Sequence, residues 1–181
     1  VFSLLRPEIR SILAQLGLYE PTPVQRKAIP VILNGWHTLI VSPTGTGKTE
    51  AAVLPIFSRL LDSGIKPGYV SILYITPLRA LNRDILRRIR ELALKLGINV
   101  AVRHGDTPEA ARREMAVNPP SMLITTPETL QFLLVGKRLR QGLRKVRWVI
   151  VDELHELIDD KRGVQLAIAL ERLAKLAGRV Q

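Results

Sequence analysis

The sequence predicts an α/β domain with a predominantly parallel sheet flanked by helices on both faces. Three observations carry that prediction. Short apolar, β-branched runs alternate with stretches of helical periodicity, as in βαβ units. A glycine-rich segment ending in Gly47-Lys48-Thr49 stands between a predicted strand and a predicted helix. A later apolar run, Arg147 to Val151, ends in the paired acids Asp152 and Glu153.

In chain order, two helices precede the first strand, about Leu4–Leu16 and Pro23–Leu33. His37–Val41 is the first predicted strand, a short apolar run with a β-branched core. The helix Thr49–Leu61 follows, and Pro55 inside it is expected to bend it. Strands are then predicted at Val70–Ile75, Asn99–Val102, Met122–Thr125 and Val146–Val151. Helices lie between them at Arg79–Leu96, Pro108–Val117 and Pro127–Leu134. A last amphipathic helix, Val164–Ala177, is stopped by Gly178 at the position that favours a left-handed residue. Thr22-Pro23, Thr107-Pro108 and Thr126-Pro127 each offer a hydroxyl N-cap followed by proline in the first turn. No repeat or linker divides the chain, so one domain over residues 1–181 is expected.

Composition bounds the function. The chain has 181 residues, 46% hydrophobic and 24% charged, which suits a folded domain and argues against disorder. No apolar run reaches the roughly 18 residues of a membrane span, and no signal peptide is visible, so an intracellular (cytoplasmic) protein is expected. With no cysteine there is no disulfide, no thiolate metal site and no cysteine nucleophile. The three histidines are scattered without ligand spacing. Net charge is +11, and from Arg79 to Arg147 fifteen basic residues face six acidic ones. That is the footprint of a polyanion-binding face, although solvated helix faces would give the same count. Arg87, Arg88, Arg112, Arg113, Arg138 and Arg140 are read as such solvated residues.

The sharpest chemical feature is Ser42-Pro43-Thr44-Gly45-Thr46-Gly47-Lys48-Thr49. Gly45 and Gly47 let backbone N–H groups turn toward a polyanion at a helix N-terminus, with Thr44 and Thr46 completing the cradle. Lys48 is expected to reach the β and γ phosphates of a nucleotide, and the Thr49 hydroxyl to hold Mg²⁺. Ser42 stands where the strict phosphate-loop pattern has glycine. Asp152 would hold the same Mg²⁺ through water, and Glu153 would orient or deprotonate the attacking water. Both acids could also simply cap the helix that follows.

These segments resemble, in order, the motifs of superfamily-two helicases. Pro21-Thr22-Pro23-Val24-Gln25 looks like a Q motif, the phosphate loop like motif I, and Thr76-Pro77-Leu78-Arg79-Ala80-Leu81 like motif Ia. Thr125-Thr126-Pro127-Glu128-Thr129-Leu130 looks like motif Ib, and Asp152-Glu153-Leu154-His155 like motif II. Asp-Glu-Leu-His, with Glu156-Leu157 and Arg162-Gly163 behind it, is similar to the large helicase-related (Lhr-type) proteins. The resemblance implies a RecA-like lobe binding ATP and Mg²⁺, and DNA or RNA as partner. It also implies a second RecA-like lobe, carrying an arginine finger, beyond Gln181. Pro77, Arg79, Arg103, Gly105, Thr126, Pro127 and Glu128 then become expected nucleic-acid contacts, and His155 a link between nucleotide state and the other lobe. Two alternatives stay open: another P-loop ATPase, or a nucleotide-gated nucleic-acid-binding module.

Gln25 has two readings. Its amide suits adenine N6 and N7; Thr22-x-x-Gln25 is also a capping box. The resemblance favours adenine. Tyr19 is either a neighbour of the base or an ordinary partly buried tyrosine. Trp36 and Trp148 are expected to pack in the core, and Thr126-Pro127 serves equally as a plain helix cap.

Overall fold

The computed structural model describes residues 1–77, 83–159 and 161–181, and the chain divides into two compact units. The first comprises residues 1–65, 87–97 and 181; the second, 66–86 and 98–180.

The first unit is helical. Its helices are α1 (Pro7–Gln15), α2 (Pro23–Leu33), α3 (Lys48–Ser63) and the greater part of α4 (Arg83–Lys95). The expected first helix is split. Phe2–Leu4 form a 3-10 turn, and Arg6 is extended at ψ 144°. The cause is Pro7, whose ring disfavours helical geometry at the residue before it. Thr22 and Gln25 form the full capping box at the start of α2. α2 packs on α3, and Ile29, Leu54, Phe57 and Leu60 are buried. Pro30 lies inside α2 and Pro55 inside α3.

The predicted strand His37–Val41 is not a strand. Residues 37–43 carry no regular structure, and Leu39 and Val41 are 74% and 83% exposed. The run lines an open cavity of about 420 Å³ with Pro23, Val24 and Val31 of α2. β-propensity measures fit to a pleated surface, so without a ladder partner among the described residues this run stays irregular. Trp36 is likewise exposed rather than packed, whereas Trp148 is buried.

The second unit holds a parallel sheet of order β2-β3-β1-β4, with β1 (Ile72–Ile75), β2 (Val100–Arg103), β3 (Met122–Thr125) and β4 (Trp148–Val151). In register, Ile75 faces Thr125 and Val151, and Arg103 faces Thr125. β1 and β3 are buried at every position, as central parallel strands require, while β2 and β4 are half-buried edges. Leu73, Ile75 and Leu123 join one core with Leu130, Leu166 and Leu173 from the helices. The alternate residues Ile72, Tyr74, Met122 and Ile124 are buried on the opposite face.

The helices of this unit are α5 (Glu109–Val117), α6 (Pro127–Val135), α7 (Lys137–Gly142), α8 (His155–Ile158) and α9 (Lys161–Ala177). α6 lies against α9. Thr126 caps α6 as expected, accepting from the Thr129 N–H at 3.3 Å. Thr107 does not cap α5. Pro108 takes the N-cap position, and the Thr107 hydroxyl accepts from the His104 N–H instead. Gly178, at φ +83°, ends α9 as predicted.

Candidate functional site

The first unit carries the glycine-rich loop. Gly45 and Gly47 adopt φ of +76° and +86°, a conformation L side chains rarely tolerate, and α3 starts directly behind them at Lys48. No side chain caps the α3 N-terminus. Its first-turn N–H groups therefore aim their partial positive charge at the loop, with no side-chain cap among the described residues. Nothing lies within 4 Å of where a Gly45 Cβ would stand. Such an open, uncapped helix start suits a phosphate group.

Lys48 Nζ donates to the Ser42 carbonyl at 2.7 Å, and the Ser42 and Thr46 hydroxyls pair at 2.7 Å. The Thr46 hydroxyl also donates to the Pro43 carbonyl at 2.8 Å. Serine at the place of the usual glycine is thus an internal partner of the loop. Thr49 sits in the first turn of α3; the next residue, Glu50, is ion-paired with Arg88.

Gln25 belongs to this loop, but not through an open amide edge. Its Oε1 accepts from the Thr22 N–H at 3.0 Å and its Nε2 donates to the Gly47 carbonyl at 3.3 Å. The residue is buried, and its amide is committed at both ends. The capping box is formed and extended into a tether to the loop. Tyr19 stands exposed.

The second unit carries the acids. β4 delivers Asp152 just past its C-terminal end, where the Asp152 N–H donates to the Ile75 carbonyl at 2.8 Å. One carboxylate oxygen of Asp152 accepts from the Tyr74 hydroxyl, and the other from the Glu153 N–H at 3.0 Å. Each oxygen keeps a lone pair for a metal-bound water. Glu153 has φ +51°, the one positive value among described non-glycine residues. Its carboxylate lies 3.4 Å from His155 Nδ1. Glu153, His155 and Glu156 bring ligand atoms within 4.8 Å of one another, a half-exposed to exposed group that is not by itself a metal site. Tyr74 escaped the sequence reading. A tyrosine in a fully buried strand signals that its hydroxyl has a partner, but not which one.

Of the expected nucleic-acid contacts, Arg79 lies outside the described residues, as do Leu78, Ala80 and Leu81 of the same segment. Pro77, Thr126 and Pro127 are buried, and the Thr126 hydroxyl is used in capping. Glu128 is exposed, and since a carboxylate repels phosphate, its side chain suits a base amine or a sugar hydroxyl and not the phosphate backbone. Arg103 and Gly105 are better placed. Arg103 ends β2, and nothing lies within 4 Å of where a Gly105 Cβ would stand. Burial, and then the charge of Arg112, hold the Arg103 guanidinium below its ordinary pKa.

Arg112 is no solvated surface residue. It is half-buried, it donates to the Gly105 carbonyl, and its Nε is buried without a partner among the described residues. Two guanidiniums at one loop repel each other, a repulsion that an anion would relieve. Arg113, by contrast, pairs with Glu109 on the face of α5 at 2.6 Å.

No helix among the described residues is long and apolar enough to cross a membrane. Comparison with known proteins supplies the context for these features. The chain is 48% identical over 171 residues to the ATP-dependent helicase Lhr-Core of Methanothermobacter thermautotrophicus, covering 87% of this chain and 20% of that protein. The structure of Mycobacterium smegmatis helicase Lhr bound to ssDNA and AMP-PNP superposes with a TM-score of 0.83 at 40% identity, over 98% of this chain and 24% of that one. The DEAD-box helicase Mss116 bound to ssRNA and UDP-BeF gives 0.85 at 27% identity, over 97% and 36%. The chain thus spans about a fifth of the Lhr-Core helicase it matches. The family description DEAD/DEAH box helicase matches residues 22–180, and the chain belongs to that family.

Proposed function

We propose that this chain is the nucleotide-binding motor lobe, the first RecA-like domain, of an Lhr-type ATP-dependent helicase or translocase acting on DNA or RNA. The single observation that carries the reading is the phosphate loop: two left-handed glycines, an uncapped α3 N-terminus, and Lys48 resting on a carbonyl it can exchange for an oxyanion. Relatives solved with AMP-PNP and with single-stranded DNA or RNA support the same chemistry.

ATP with Mg²⁺ supplies, when bound, the phosphoanhydride bond whose hydrolysis drives movement. Lys48 leaves Ser42 to meet the β and γ oxygens, and the first-turn N–H groups of α3 orient the same phosphates. The Thr49 hydroxyl and the Asp152 carboxylate are the groups that would hold the metal. Tyr74 and the Glu153 N–H fix the Asp152 carboxylate plane, so its free lone pairs point one way. Glu153 accepts the proton of the attacking water, and His155 holds the Glu153 carboxylate in place. A second lobe carries the arginine finger, worth about 10³–10⁵ in turnover in this class of reaction.

The test measures binding of a fluorescent ATP analogue and ATP turnover, with and without single-stranded DNA and RNA. Binding that is lost in Lys48→Ala, with negligible turnover on either strand, is the expected result. Robust turnover abolished by Glu153→Gln would instead indicate a self-sufficient ATPase. A folded sample that binds no nucleotide would overturn the proposal.

A further inference from the structure

A second charged feature of the sheet-bearing unit stands apart from the loops at the C-terminal ends of its strands. α6 leaves β3 at Thr126 and runs nine residues, roughly 13 Å, away from that end. Where it finishes, Leu134 and Val135 line a cavity of about 260 Å³ with Arg140 of α7 and Arg172 of α9. No carboxylate lines it, and neither arginine has an acidic partner among the described residues.

Arg172 is held in place. Its Nη1 donates to Gln131 Oε1 at 3.3 Å, and Gln131 Nε2 donates to the Gln165 carbonyl at 2.5 Å. This chain fixes one edge of the guanidinium and leaves the other edge for a ligand. Two cations sharing one cavity repel, so an anion placed between them is stabilised by both.

The surroundings decide what bears the anion. Phe132 and Val135, three residues apart on α6, are 75% and 68% exposed. On α9, Val164 and Ile168 are also exposed, and they form an i, i+4 row that ends at Arg172. Val135 and Arg172 line the same cavity, so the last residue of each row meets there. A phosphate backbone has nothing to place on such rows. A protein segment with acidic and apolar side chains matches both features.

We propose that the α6–α9 face docks an acidic amphipathic segment of a partner protein. One partner carboxylate lies between Arg140 and Arg172, and apolar side chains cover Phe132, Val135 and Ile168. This interaction is independent of the nucleotide site.

The probe is a fluorescein-labelled helical peptide of leucine, alanine and glutamate, with a lysine-for-glutamate peptide as control, titrated by anisotropy against the full chain. The expected result is saturable, salt-sensitive binding of the acidic peptide only. Affinity should fall at least about tenfold in Arg140→Glu/Arg172→Glu and in Phe132→Asp. Affinity for a single-stranded oligonucleotide should be unchanged in Phe132→Asp apart from the effect of one added charge, and in the arginine variants should fall far less than peptide affinity. Arg140→Gln/Arg172→Gln is the substitute if thermal melting shows the charge reversal to be unfolded. Absence of saturable binding, or equal affinity in the folded variants, would overturn the proposal. Loss of oligonucleotide affinity without any peptide binding would overturn it as well, and assign the arginine pair to phosphate.

Discussion

Gln25 joins the start of α2 to the phosphate loop with one amide. Replacing it by alanine removes the Thr22 N–H contact and the Gly47 carbonyl contact together. Thr22→Ala removes only the cap on the Gln25 N–H. Both variants are expected to lose about 1–2 kcal/mol in urea denaturation. Only Gln25→Ala should also weaken binding of a fluorescent ATP analogue, because it alone releases the loop. Equal nucleotide affinity in the two variants would show the tether to be without consequence for the site. Gly47 sets a harder limit: an alanine there keeps φ at +86° and brings its Cβ within 2.5 Å of Gln25 Nε2. Gly47→Ala should therefore destabilise by more than about 1 kcal/mol and displace the Gln25 amide. A melting midpoint equal to that of the parent chain would refute this.

At the scale of elements, α9 begins against α8 so closely that one methyl group matters. A Cβ at Gly163 would stand 2.2 Å from the Leu157 carbonyl oxygen, which is backbone and cannot swing aside. Glycine to alanine inside a helix ordinarily gains about 1 kcal/mol. Gly163→Ala is expected to reverse that sign, read as a lower urea midpoint with α8 and the acids behind β4 the first region to lose amide protection.

The elements also differ in how legible they are in sequence. α2 and α6 announce themselves because the signal is local: a threonine, a proline and an apolar periodicity within a few residues. β1 and β3 read as strands because buried parallel strands are continuous apolar runs, and the edge strand β4 is apolar throughout as well. His37–Val41 has the same composition but no ladder, and pairing is not written within a run. α7 and α8 are too short for periodicity to show. In the candidate site, the loop and the acids are legible as motifs. The Gln25 tether and the Tyr74 hydroxyl depend on residues distant in sequence.

For the whole molecule, a net charge of +11 predicts that the proposed association with nucleic acid depends on salt. Affinity for a single-stranded oligonucleotide should fall steeply as salt rises. Arg103→Ala and Arg112→Ala should each lower the slope of log affinity against log salt by about 0.7. An unchanged slope in the double variant would remove these residues from the interface. Glu153 makes a different claim on the molecule. Its left-handed backbone is a conformation that asparagine or glycine adopts more easily than glutamate. Glu153→Gly should then stabilise the fold by roughly 0.5–1 kcal/mol net of glycine's extra unfolded-state entropy, read as a higher melting temperature, while removing the carboxylate. A more stable protein is thus one substitution away, and it lies on the acid proposed to do the chemistry. Selection for thermal robustness and selection for turnover would pull in opposite directions at this single position.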